Sequence, residues 1–271
     1  MSATIAPETL TIPEHDPLPQ SRVVRNSLTM GWRALLKTRH EPELMTDAIA
    51  IPVLFTLLFT YLFGGALSGS THQYLRSLLP GTLVMSILLI TVSAGVSLNT
   101  DRTSGTLDRF RSLPIWQPAV IAGSLIGDMA RYLLAAALVL GMGLLMGYRP
   151  SGGAGGVALA LALILVFGFS MSWIWTSLGL VLRSAQAVSV LSFAIQVPLT
   201  FASNVFVNAA TMPGWLHAFV DANPVSHLVT AERALMNGTA AASQVGWVLL
   251  ASAGLIAVFG PLTMRLYRTR P

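Results

Sequence analysis

Residues 78–99 read Leu-Leu-Pro-Gly-Thr-Leu-Val-Met-Ser-Ile-Leu-Leu-Ile-Thr-Val-Ser-Ala-Gly-Val-Ser-Leu-Asn, without one charged side chain. An α-helix rises about 1.5 Å per residue, so a stretch of this length covers the roughly 30 Å of a bilayer's hydrocarbon core. Comparable apolar stretches occur at about 47–67, 118–147, 157–181, 186–207 and 244–264. None alternates apolar and polar residues as a membrane β-strand does. Backbone groups in lipid must be satisfied within their own segment, so each stretch is expected to be a helix. Charged residues make up 10% of the chain, against about 25% in a soluble domain. The sequence therefore predicts an all-α, polytopic membrane protein with six transmembrane helices.

The segments between the spans are too short to hold a soluble domain, so residues 21–271 are expected to form one transmembrane domain. Residues 1–20 carry Pro7, Pro13, Pro17 and Pro19 beside Glu8, Glu14 and Asp16. They are expected to be a disordered tail, because a signal peptide needs a basic start and an apolar centre. The absence of cysteine excludes a disulfide framework, a thiolate metal site and a cysteine nucleophile.

Basic residues are sorted by side. Arg22, Arg25, Arg33, Lys37 and Arg39 precede the first span, Arg102, Arg109 and Arg111 follow the second, Arg183 follows the fourth, and Arg265, Arg268 and Arg270 follow the sixth. The alternate connections hold only Arg76, Arg149 and Arg233. The positive-inside rule then predicts that both termini are cytoplasmic, with the protein spanning the inner (plasma) membrane. This asymmetry accounts for the net charge of +5 without a nucleic-acid partner.

Residues 22–37 predict an amphipathic interface helix that does not span. Val24, Leu28, Gly31, Trp32 and Leu35 share one face, and Arg22, Arg25, Arg33 and Lys37 share the other. Ser21 is positioned as its N-cap and Pro42 marks its end. Between spans five and six, residues 208–243 are too polar to cross and too apolar for a free loop. Pro213 and Pro224 stand where short helices begin. Two outer-leaflet helices are expected there, anchored by Trp215 and Phe219, with Asn223 and Pro224 at their junction. Asn237-Gly-Thr239 matches a glycosylation pattern by coincidence and is read as turn residues between Gly-Ala-rich ends.

Polar groups within the spans are few. Asp128 and Arg131 stand three apart in span three and can pair on one face. Such a pair either clamps helices together or lines a translocation path. Gln196 and Pro198 lie in span five, with Asn204 toward its outer end. Gly141, Gly143 and Gly147 suit close helix packing. Trp173 and Trp175, near the cytoplasmic end of span four, fit substrate contact and an interfacial aromatic belt equally.

Several chemistries are missing. Lys37 is the only lysine and follows no glycine-rich phosphate loop, so this chain has no nucleotide cradle of that kind. The histidines at 15, 40, 72, 217 and 227 lack metal-ligand spacing, and no Gly-x-Ser-x-Gly elbow occurs. No nucleophile, base and metal converge, so an enzyme is not expected.

The segment after span two reads Asp101-Arg-Thr-Ser-Gly-Thr-Leu-Asp-Arg-Phe-Arg-Ser-Leu-Pro114. Leu107, Phe110 and Leu113 recur at three-residue steps among charges. This reads either as a short cytoplasmic helix with an apolar stripe suited to a groove in another protein or as a solvated loop that merely obeys the positive-inside rule. Here the chain resembles the permease subunits of type-2 ABC exporters, the ABC-2 family. The resembling residues are Asp101-Arg102, Gly105-Thr106-Leu107-Asp108, Ser112-Leu113-Pro114, the Asp128 and Arg131 pair, Pro213-Gly214-Trp215 with Phe219-Val220, and Asn223-Pro224-Val225-Ser226. The likeness extends over about 22–268 and is closest to the daunorubicin- and doxorubicin-resistance branch. Ser124 departs from it, where many relatives carry a basic residue.

This resemblance implies a half-transporter that exports an amphipathic drug-like natural product or a lipid. It also implies a separate ABC ATPase subunit in two copies, holding ATP and Mg, and a second permease chain as homodimer or related heterodimer. The ATPase would dock at Arg102, Gly105, Thr106, Leu107, Asp108, Arg109, Phe110, Arg111, Leu113 and Pro114. The alternative is a secondary transporter driven by an ion gradient. That would call for titratable groups along the path or internally repeated halves, and no repeat relates residues 47–147 to 157–264.

Overall fold

The computed structural model describes residues 50, 53–62, 71–106, 118–206, 213–239 and 241–269, and among them there is no strand. The helices are α1 (Val53–Leu62), α2 (Thr71–Thr103), α3 (Pro118–Leu145), α4 (Gly153–Val181), α5 (Ala185–Phe201), α6 (Gly214–Ala222), α7 (Pro224–Asn237) and α8 (Ala242–Thr269). By length and composition α2, α3, α4 and α8 can each cross a membrane, while α1 and α5 are shorter apolar helices. The interface helix expected at 22–37, with Arg25, Trp32 and Arg33, lies outside the described residues, as does the tail at 1–20.

α2 is the central helix, buried among α3, α4, α5 and α7. Its polar residues are tolerated there because several return their hydroxyls to their own helix. Thr82 donates to the Leu79 carbonyl at 3.0 Å and Thr91 to the Leu88 carbonyl at 2.6 Å. Glycines let α2 and α4 approach to backbone contact. A Cβ on Gly95 would stand 2.3 Å from the Trp175 carbonyl oxygen, and one on Gly179 would stand 2.4 Å from that of Gly95. Of the small residues expected to pack in α3, Gly143 does so against Leu79, whereas Gly141 faces open space. Gly147 has φ 95° and turns the chain after α3. That conformation is strained for residues with a Cβ.

The tryptophans of α4 are core residues instead of an interfacial belt. Trp175 is fully buried and donates its indole N–H to Thr91 Oγ1 at 2.9 Å, and Trp173 is buried in a second cluster with Leu98, Ile121, Leu125 and Tyr267. The expected fifth span, 186–207, ends sooner as a helix, at Phe201. Pro198 lacks an N–H and cannot extend the hydrogen-bond ladder at its own position, and the helix closes within a turn of it.

Shared packing gives the bundle two poles. Arg102, Arg183, Arg265 and Arg268 gather at the pole where Leu98, Leu180 and Tyr267 pack together. Arg76, Arg149 and Arg233 gather at the opposite pole, with Tyr148 and the ends of α5 and α7.

Candidate functional site

At the first pole α2 ends beside the turn from α4 into α5. Gly105 has φ 73° and its N–H bonds the Arg102 carbonyl at 3.1 Å, stopping the helix in a conformation suited to glycine. Thr106 shares a hydroxyl hydrogen bond with Ser104 at 3.0 Å. The other expected docking residues, Leu107, Asp108, Arg109, Phe110, Arg111, Leu113 and Pro114, lie outside the described residues.

Arg102 points back into the bundle. Its Nη1 donates to the Leu180 carbonyl at 2.7 Å and to that of Leu182 at 3.4 Å. Asn99, one turn earlier, donates its amide to the Gly179 and Leu182 carbonyls, both at 2.8 Å. The last carbonyls of a helix have no partner within it, and a cation suits their partial negative charge. Asn99 and Arg102 thus cap α4 from α2. Ser184 then begins α5 three residues after α4 ends, accepting the Ala187 N–H at 3.2 Å. Sequence reasoning missed Asn99. Its signal was a carboxamide at the charged end of an otherwise uncharged run.

α5 is polar inward and apolar outward. Its buried residues are Val188, Ser192, Gln196 and Thr200, spaced four apart on one stripe. Gln196 donates to Thr200 Oγ1 at 2.9 Å, while Gln196 Oε1 and Ser192 Oγ are buried with no hydrogen-bond partner among the described residues. Val190, Phe193, Ile195 and Phe201 face outward. Near its end, Phe201 and Phe206 meet Phe55 and Phe59 of α1, with ring centroids 4.5 Å apart for Phe59 and Phe206 and 5.3 Å for Phe201 and Phe206. Thr56 and Thr60 are buried on that helix.

Asp128 and Arg131 pair at 3.0 Å, with their side chains only 12% and 10% exposed. The next residue, Tyr132, bonds Ser172 of α4 at 2.8 Å, so the pair sits beside a polar tie between α3 and α4.

At the second pole Asn223 joins three elements. Its Oδ1 accepts the Val225 N–H at 2.9 Å and so caps α7, whose first residue is Pro224. Its Nδ2 donates to the Leu199 and Ala202 carbonyls at 2.7 and 3.0 Å, capping the end of α5. Asn204 donates to Thr230 at 2.9 Å. Arg233 donates to the Ser77 carbonyl at 2.8 Å and to that of Val205 at 2.9 Å, tying α7 to α2 and to the segment that follows α5. Burial lowers its pKa to about 10. Its neighbour Glu232 is 1% exposed, and burial holds its carboxyl well above the usual range. Tyr148 stands near it and is pushed up to about 12, chiefly by burial. Sequence reasoning counted Arg233 only among the arginines of the alternate connections and passed over Glu232, because a short helix between spans gave no cue to what packs over it. Trp215, at 77% exposure, and Phe219 leave an apolar face of α6 uncovered. Gly238 closes α7 with φ 71° and Thr239 bonds the Ala234 carbonyl, so the Asn237-Gly-Thr239 run is a helix cap.

Apolar helices long enough to cross a bilayer, with polar stripes turned inward, define an integral membrane protein. The family model for ABC-2 type transporters matches residues 25–237. The chain belongs to that family. It is 51% identical over 251 residues, 93% of this chain and 89% of the relative, to the "Daunorubicin resistance ABC transporter permease protein DrrB1" of Streptomyces coeruleorubidus. It is also 23% identical over 236 residues, 87% of this chain and 85% of the relative, to a "Probable doxorubicin resistance ABC transporter permease protein DrrC" of Mycobacterium tuberculosis.

Proposed function

We propose that this chain is the six-span permease of a drug exporter in the inner membrane, driven by a separate ATPase that docks on residues 101–114 from the cytoplasm. The observation that carries the docking assignment is the end of α2. Gly105 releases the chain from the helix at the arginine-rich pole, just where the stripe Leu107, Phe110 and Leu113 begins. Two ATPase copies would supply ATP and Mg chemistry, and a second permease chain would complete the path. Phe55, Phe59, Phe201 and Phe206 gather their rings at the end of α5. Such aromatic faces suit an amphipathic, planar natural product, and the relatives' names speak of daunorubicin and doxorubicin resistance. Asp128 and Arg131 serve as a structural clamp in this reading, because each is satisfied by the other.

Apolar anchors at a partner interface commonly cost more than about 1–2 kcal/mol when truncated. Leu107→Ala combined with Phe110→Ala should release the ATPase, or uncouple its hydrolysis from daunorubicin efflux, while membrane insertion stays normal. Copurification and efflux are measured together. Full retention of both would remove the docking assignment.

A further inference from the structure

We propose that Asn99 and Arg102 are positioning residues that carry movement of the ATPase-docking segment into α5 through the joint at 182–184. The inference rests on the docking reading above, and goes beyond it by naming the connection inside the permease. Four hydrogen bonds cross from the last turns of α2 to the carbonyls of Gly179, Leu180 and Leu182. Just inside them, Gly95 and Gly179 bring the two backbones into contact that leaves no room for even a methyl group. The four hydrogen bonds and this close backbone contact hold the ends of α2 and α4 together, so that they move as one body.

The joint itself is built to bend. Leu182 is extended, its N–H still bonded to the Leu178 carbonyl at 2.9 Å, and Ser184 is extended again before α5 starts. Few residues thus separate the clamped end of α4 from the polar stripe of α5, and such helix-terminal positions absorb φ/ψ change in hinges. The far end of α5 is held separately by Asn223, and by Arg233 at Val205, which fixes a second point about which the helix pivots. A displacement beginning at residue 106 meets Arg102 first, and Arg102 is bonded to the hinge.

The test uses the permease–ATPase complex, with cysteines introduced pairwise into this cysteine-free chain for spin-label distances. Ser104, Gln186 and Thr239 are exposed and take the labels. The 104/186 pair is expected to keep one distance with and without vanadate-trapped nucleotide, while the 186/239 pair shifts. Asn99→Ala should broaden the first distribution and abolish the shift of the second, with basal hydrolysis and ATPase copurification retained, since Asn99 is buried and lies outside the docking segment. Asn99→Gln, which keeps the amide donor, should preserve both patterns. A nucleotide-dependent 104/186 distance, an unmoved 186/239 pair in the unaltered protein, or wild-type behaviour of Asn99→Ala would each overturn the relay. Loss of the ATPase from Asn99→Ala would overturn it as well, placing Asn99 in the docking surface. The unaltered label pairs decide the matter even if a variant fails to fold. If no ATPase copurifies with the unaltered chain, the docking reading fails and takes the relay with it.

Discussion

Gly95 and Gly179 show what a single missing methyl group does in this bundle. Helices in a membrane gain little from burying apolar surface, since lipid is as apolar as their partners, so close packing must hold them together. The two glycines permit that packing where α2 crosses α4, and each is faced by backbone that cannot rotate away as a side chain can. Gly179→Ala should therefore destabilise the folded chain by about 1–3 kcal/mol, the usual range for overpacking. Gly141→Ala is the matched control, because nothing lies within 4 Å of the added carbon. It should leave stability unchanged or raise it slightly through helix propensity. Thermal unfolding of both variants in detergent checks the pair. Equal melting temperatures for the two would mean that the α2–α4 crossing relaxes freely.

At the scale of elements, legibility followed whether the physics was local. The apolar runs that became α2, α3, α4 and α8 were plain, because span length and lack of charge need no knowledge of neighbours. The starts of α6 and α7 were legible from Pro213 and Pro224, whose fixed φ suits a helix entry. The Asp128 and Arg131 pair followed from helical spacing alone. Trp175 was not legible as core, because an indole suits an interface or a buried partner equally, and Thr91 is far away in sequence. The same holds for Asn99 and Arg102, whose acceptors on α4 are more than seventy residues distant. Glu232 belongs with these. Its folded carboxyl binds a proton more tightly than the unfolded one, whose ordinary value is 4.5. A group raised in this way leaves stability intact below the unfolded value. Stability then falls as pH rises above it, because the unfolded chain releases a proton that the folded chain holds. The titratable group facing it is Tyr148, which itself lies near Arg76, with Arg233 next in the chain. The seating of α7 should accordingly weaken as pH rises above about 4.5, seen as a falling melting temperature. Glu232→Gln should flatten that slope, and a slope equal to wild type would assign it to other groups.

For the whole molecule, the two poles turn an arginine count into a statement about direction. Charged side chains cross the membrane at high cost, so the pole collecting Arg102, Arg183, Arg265 and Arg268 is expected to stay on the side where the chain was made. The opposite pole carries the exposed indole of Trp215 and the uncovered face of α6, which suit the headgroup region of the outer leaflet. Both the docking assignment and the relay require this orientation, because an ATPase finds its nucleotide only in the cytoplasm. The absence of cysteine makes the test direct. A cysteine at Ser104 should react with a membrane-impermeant maleimide only after the cells are opened, and one at Thr239 should react in intact cells. Both positions are exposed turns outside the apolar helices, so labelling reports the side of the membrane without a local barrier. The reverse pattern would invert the bundle and leave residues 101–114 facing a compartment without ATP.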